Sequence, residues 1–198
     1  MKAVSLAEIS QKLTCLITSQ LDYDEEKKEI IAYAIETGLL AVSGALLIAI
    51  LGYALNALIP ALIAAAFGGS LRRVSGGAHF STPLMCLVFS AVTYSLIGVL
   101  AIKLTNYSPI NQYIIILLII SLLIVFILAP VESEGKPIHS QSLKRKLKVT
   151  STAFVIVVFL ITYLSSNSLV NISAVLGVLS QSITLLPMFN KKGGELSL

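Results

Sequence analysis

Long apolar runs alternate along this chain with short polar segments, and the lengths of the runs decide the fold class. A helix needs about 20 apolar residues to cross the hydrocarbon core of a bilayer. From Ile30 to Gly69 the sequence is almost continuously apolar, about 40 residues and so enough for two crossings, with Gly52, Asn56 and Pro60 marking where it can break or turn. A third run extends from Pro83 to about Ile102, and a fourth, dense in Ile and Leu, from about Tyr113 to Ala129, where Pro130 ends it. Two more, roughly Val149 to Leu164 and Leu169 to Met188, are joined by the small polar turn Ser165 to Ser168. Ahead of them, Ala3 to Leu21 sets Val4, Leu6, Ile9, Leu13, Leu16, Ile17 and Leu21 largely along one helical stripe, the pattern of an amphipathic helix lying in the interface. The expectation is an all-α, polytopic membrane bundle of about six transmembrane helices plus this N-terminal amphipathic helix.

Composition agrees with that pattern. Hydrophobic residues make up 56% of the chain and charged residues only 12%, where a soluble domain carries roughly 25% charged residues and could not cover so much apolar surface. A single membrane-embedded domain over 1–198 is expected: an interfacial segment 1–29, a transmembrane region 30–188 and a tail 189–198. No cleavable leader is evident, because the N-terminus lacks a short apolar stretch ending at small residues.

The formal net charge of +4 adds orientation. Between Val131 and Lys148, the longest polar loop, Lys136, Lys144, Arg145, Lys146 and Lys148 face only Glu132 and Glu134, and the tail restarts with Lys191 and Lys192. By the positive-inside rule both segments are cytoplasmic. Stepping back across one hairpin puts Arg72 to His79 inside too, and two crossings in 30–69 bring the N-terminus inside. The basic residues sit beside apolar spans without interleaved aromatics, which argues against nucleic acid as a partner. Two dissimilar cysteines, Cys15 and Cys86, make no disulfide framework.

Chemistry concentrates in Arg72-Arg73-Val74-Ser75-Gly76-Gly77-Ala78-His79 and, after six intervening residues, Cys86. Histidine and cysteine are the minimum pair for thiol catalysis: the imidazole takes the thiol proton and the thiolate attacks a carbonyl. On one continuous helix the two would lie about 10 Å apart along the axis, too far for proton transfer. Thr82 and Pro83 supply the break, as N-cap and first helical residue, so that Cys86 falls in the first turn with His79 in the loop before it. There the helix dipole and Arg72 or Arg73 would favour the thiolate, and free amides could hold an oxyanion. The plainer readings stand beside this one: Cys86 as a small hydrophobe, His79 as a solvated loop residue and Arg72-Arg73 as an orientation signal, with no third group visible to orient the base. His79, Cys86 and His139 fall short of a structural metal site, so neither metal nor cofactor is expected. Cys15, without a neighbouring histidine, reads as structural. A small transporter or exporter would be expected to pair charges deep within several spans, whereas only Glu36 and Lys103 approach the apolar regions. A scaffold docking partners through the N-terminus and the basic loop is the other alternative.

The segment from Arg72-Arg73 through Gly77-Ala78-His79 to Cys86 resembles the signature of the accessory gene regulator B family, membrane cysteine proteases that process quorum-sensing propeptides in Gram-positive bacteria. Ala129-Pro130-Val131-Glu132 with Lys136-Pro137-Ile138 and the basic Lys144 to Lys148 is similar to that family's cytoplasmic loop, and Gln181 to Pro187 to its last span. The resemblance implies His79 as base and Cys86 as nucleophile, with Arg72 and Gly77 supporting the site. It implies a cell-membrane location, a homodimer, and a propeptide substrate with an amphipathic leader, a signalling core and a charged C-terminal tail. That tail is cut off on the cytoplasmic side, leaving an acyl-enzyme thioester that the peptide's own cysteine converts to a thiolactone. Lys144, Arg145, Lys146 and Lys148 are candidates for attracting the tail.

Overall fold

The computed structural model describes residues 6–18, 23–78, 82–107, 110–132 and 140–189. Among them the chain is helical, with seven helices: α1 (Leu6–Thr18), α2 (Glu25–Ala54), α3 (Leu58–Ser75), α4 (Pro83–Thr105), α5 (Ile110–Leu128), α6 (Gln141–Leu164) and α7 (Ser168–Ile183). Four of these, α2, α3, α4 and α6, are long and apolar enough to cross a membrane, and α5 and α7 carry shorter apolar stretches. The bundle expected from the apolar runs is thus present, with the amphipathic helix ahead of it.

The chain divides into two compact units, Met1–Leu47 and Ile48–Leu198. In the first, α1 turns Thr14 and Thr18 inward and leaves Ile9, Leu13, Leu16 and Ile17 exposed. That is the orientation of a helix whose apolar stripe is covered by lipid rather than by protein. Cys15 is exposed and lines a shallow cleft with Gln11, Thr14, Thr18, Lys28, Glu29 and Ala32. Asp24 begins α2 by accepting from the Lys27 amide at 2.9 Å. α2 is apolar around its circumference, and only 6% of its most apolar window is buried, so lipid is left to cover the rest.

In the second unit α7 is the central helix: it packs most extensively on α3 and also touches α4, α5 and α6. Nine of its sixteen residues are buried, among them Asn171, Ser173, Gln181 and Ser182. Close approach of helices depends on small residues where contacts are tightest. A Cβ at Gly177 would stand 2.3 Å from the Ala64 carbonyl oxygen, and one at Gly98 would stand 2.8 Å from the Ala61 nitrogen. Leu71, Leu118, Val125, Val155, Val158, Ile172, Val175, Val178 and Leu185 fill the apolar interior. Leu84, Phe89, Leu96, Ile119, Phe126, Ile156 and Leu160 stay exposed on the outside, as befits a protein solvated by hydrocarbon.

Three boundaries differ from the sequence reading. The run 30–69 does hold two helices, turning at Asn56 with φ +53, but α3 continues past Gly69 to Ser75, so Arg72 and Arg73 form its last turn rather than a loop. Gly68 does not break α3, because it accommodates α4: a Cβ there would meet the Tyr94 hydroxyl at 2.6 Å. The polar segment 131–148 is not loop throughout. Ser140 caps α6 by accepting from the Leu143 amide at 3.5 Å, and Lys144, Arg145, Lys146 and Lys148 ride on its first two turns. Lysine, arginine, glutamine and leucine are good helix formers, so polarity there marks a helix emerging from the membrane. The last span is shorter than expected, Ser168–Ile183 followed by turns to Phe189, whereas both expected ends of the interfacial helix lie outside the described residues.

Candidate active site

The end of α3, the start of α4, the segment after α5, the start of α6 and the end of α7 meet at one end of the second unit. At its centre is Cys86. Thr82 caps α4, its side chain accepting from the Met85 amide at 3.3 Å, and Pro83 takes the first helical position, as the sequence suggested. The Cys86 amide closes the first main-chain bond, to the Thr82 carbonyl at 3.2 Å, which fixes the half-buried thiol in the first turn. The expected supply of free amides is smaller than it looked: Pro83 has none, and those of Met85 and Cys86 are occupied, which leaves Leu84.

Arg72 reaches the thiol from the last turn of α3. One guanidinium nitrogen, Nη2, lies 3.7 Å from Cys86 Sγ and also donates to the Ala78 carbonyl. The other, Nη1, donates to Gln181 Oε1 at 3.4 Å. Arg72 and Cys86, 14 residues apart, are therefore in contact, whereas Arg73 points to the exposed side of α3. His79, expected as the base, lies outside the described residues, as does His139.

The glycines before His79 are required by their surroundings. Gly76 has φ +69 and Gly77 φ +133, values that suit a residue without Cβ. A Cβ on Gly76 would stand 2.1 Å from the Val131 carbonyl oxygen, and one on Gly77 would stand 2.6 Å from Thr184 Oγ1. The backbone there is pinned on two sides: the Val131 amide donates to the Ser75 carbonyl at 2.9 Å, and the Ala78 amide donates to the Thr184 carbonyl at 3.3 Å. Val131 and Glu132 thus belong to the site's framework, and Glu132 holds Lys144 of α6 at 2.9 Å. Lys148 lies 5.3 Å over the Phe126 ring. Arg145 and Lys146 are exposed and have no ion pair among the described residues.

Two residues given no role by the sequence reading belong here. Gln181, 1% exposed, donates through Nε2 to the Gly76 carbonyl at 2.7 Å and to Ser75 Oγ at 3.3 Å. Tyr94, two turns beyond Cys86 on the same helix, sets its hydroxyl over Gly68 of α3, the helix that carries Arg72. Two amides in the last apolar span, Asn171 and Gln181, and a phenol in α4 were the available signals, since polar groups in membrane helices mark sites by default.

A family model, accessory gene regulator B, matches residues 10–185. The putative AgrB-like protein 2 of Clostridium perfringens strain 13 is 31% identical over 195 residues, 91% of each chain. The putative AgrB-like protein of Lactiplantibacillus plantarum is 29% identical over 194 residues, 96% of this chain and 92% of the relative. Accessory gene regulator protein B of Staphylococcus aureus strain Newman is 30% identical over 139 residues, 70% of this chain and 71% of the relative. No solved structure matches. Because the family match takes in α2 to α7, most of α1 and the segments that meet at Cys86, the chain belongs to the accessory gene regulator B family.

Proposed function

We propose that this member of a quorum-sensing family is a multi-pass membrane cysteine endopeptidase. Its chain, 1–198, acts as one peptidase domain and removes the C-terminal tail of a small propeptide at the cytoplasmic face. The observation that carries the reading is Arg72 Nη2 shared between Cys86 Sγ at 3.7 Å and the carbonyl of Ala78, the residue to which His79 is joined. A guanidinium beside the sulfur is placed to meet the negative charge that develops there as the proton leaves, and a partly dry setting strengthens that attraction. The basic residues of α3 and α6 at the same end of the bundle support a cytoplasmic location.

In this reading His79 takes the proton of the Cys86 thiol, and the sulfur attacks the scissile carbonyl. The carbon–nitrogen bond breaks as the imidazolium returns that proton to the leaving amine. The signalling segment is left as a thioester on Cys86. A cysteine thiol within the peptide then attacks the same carbonyl, closing a thiolactone and releasing the Cys86 thiolate, to which the proton of the incoming thiol passes. Exchange of one thioester for another keeps the acyl group activated, so a site that limits water favours the intramolecular thiol. A homodimer in the lipid bilayer is part of the same proposal.

The test is cleavage of a synthetic propeptide by protein in nanodiscs, followed by mass spectrometry. Cys86→Ala and His79→Ala are each expected to abolish cleavage while still inserting and purifying, whereas Cys15→Ala is expected to remain active. Cleavage by either dyad variant would sink the mechanism.

A further inference from the structure

Gln181 is the most buried amide of the site, and three of its four polar valences, both donors and one acceptor, are used across the bundle. Burying a side-chain amide is costly unless it is hydrogen-bonded. Here both donors face the segment before His79, at the Gly76 carbonyl and Ser75 Oγ, while the acceptor faces Arg72. The reversed amide would set its NH2 against the guanidinium and its oxygen against a carbonyl, two repulsive contacts, so the orientation is determined. Arg72 carries the chain of contacts onward to the sulfur of Cys86. Arginine has a long stem and loses side-chain freedom when fixed. Its fork is held by Gln181 on one nitrogen and by the Ala78 carbonyl on the other, with the thiol beside the second.

We propose that Gln181 is a positioning residue: it fixes the Arg72 guanidinium against Cys86 and at the same time fixes the Gly76 to Ala78 segment, and so sets how readily the thiolate forms. The proposal rests on the reading of Cys86 as nucleophile. Glutamate at 181 keeps the shape but replaces the donors to Gly76 and Ser75 with a second acceptor, and its charge competes with the thiolate for Arg72. Methionine keeps the length and removes the hydrogen bonds without adding charge.

The decisive measurement needs no propeptide. In a Cys15→Ala background, the rate of Cys86 alkylation by iodoacetamide is followed against pH in nanodiscs. For Gln181→Glu we expect a profile displaced to higher pH, with a rate at neutral pH lower by roughly tenfold, the equivalent of about one pH unit in thiolate formation. The high-pH plateau, where the thiolate is complete, should be unchanged. Gln181→Met should shift in the same direction by less, and should add nothing in an Arg72→Met background, because Gln181 acts through that arginine. An unshifted profile in Gln181→Glu, a plateau lowered without a shift, or additive effects with Arg72→Met would each overturn the proposal. Should Gln181→Glu fail to accumulate, the Gln181→Met pair with Arg72→Met decides alone. Loss of the dyad reading would show elsewhere, as cleavage surviving in Cys86→Ala, so the two failures are distinguishable.

Discussion

Two buried amides on α7, Asn171 in its first turn and Gln181 in its last, solve the same problem in opposite ways. Asn171 donates to the Thr162 and Ser165 carbonyls at 3.2 and 2.9 Å, only 9 and 6 residues away, where it closes the turn between α6 and α7. Gln181 bonds to Arg72, Ser75 and Gly76, more than 100 residues away in the chain. Around Asn171 the cluster is neutral: a cavity of about 240 Å³ is lined by Thr162, Tyr163, Ser165, Ser166 and Ser168 with apolar neighbours, and Asn171 Oδ1 has no partner among the described residues. Around Gln181 are a guanidinium, a thiol and two glycines in left-handed conformations. A polar group satisfied by its own turn is a fastener. One satisfied by three distant residues ties separate parts of the chain into a single geometry, which a catalytic group needs.

The largest expected effect lies at the Gln181 end. Gly77→Ala forces a Cβ into the space of Thr184 Oγ1, 2.6 Å away, at a backbone angle of φ +133. Strain of this kind is worth about 1–3 kcal/mol, so propeptide cleavage should fall roughly 5- to 150-fold with insertion intact. Activity near that of the wild type would mean that the segment before His79 tolerates movement, and the comparison between the two amides would lose its point. At the other end, Asn171→Leu removes two local hydrogen bonds and nothing of the site. It should cost about 1–2 kcal/mol of stability, read as a lower melting temperature in detergent, while the turnover of the folded protein stays unchanged. A fall in turnover would show that the neutral end is coupled to the chemistry.

The sequence carried the fastening more openly than the tie. Thr82 before Pro83 announced the start of α4, and with it the turn on which Cys86 sits, because capping is a local property of adjacent residues. The apolar runs announced the spans because crossing length is fixed by the bilayer. Helix ends were less legible where glycine or charge did not mark a break: Gly68, which packs against Tyr94, and Gly69 lie within α3, and Lys144 to Lys148 lie within α6. The partnership of Gln181 with Arg72 was invisible, since no spacing rule links residues 109 apart. Only the family resemblance singled out Arg72 over Arg73; that Arg72 faces the thiol and Arg73 turns away follows from the phase of α3 and not from composition.

The smallest expected effect concerns the basic residues that gather on α6 at the Gln181 end. Of the four basic residues proposed to attract an acidic propeptide tail, Lys144 is paired with Glu132 and Lys148 lies over Phe126, while Arg145 and Lys146 are exposed on the first turns of α6. Exposed ion pairs are worth about 0–1 kcal/mol each and are screened over about 8–10 Å at physiological salt, so the set can change apparent affinity only severalfold. The two groups are not equivalent, however. A tail must compete with Glu132 for Lys144, whereas among the described residues it meets no such rival at Arg145 and Lys146. Replacing Arg145 and Lys146 with Gln should therefore raise KM for the propeptide by roughly two- to tenfold at low salt with kcat little changed, and replacing Lys144 and Lys148 should raise it less. The difference should shrink as salt rises. Steady-state cleavage at two ionic strengths measures this, with tag accessibility first confirming that the orientation is intact. Equal KM values for both double variants and the wild type at low salt would leave the basic turns of α6 with orientation as their whole function.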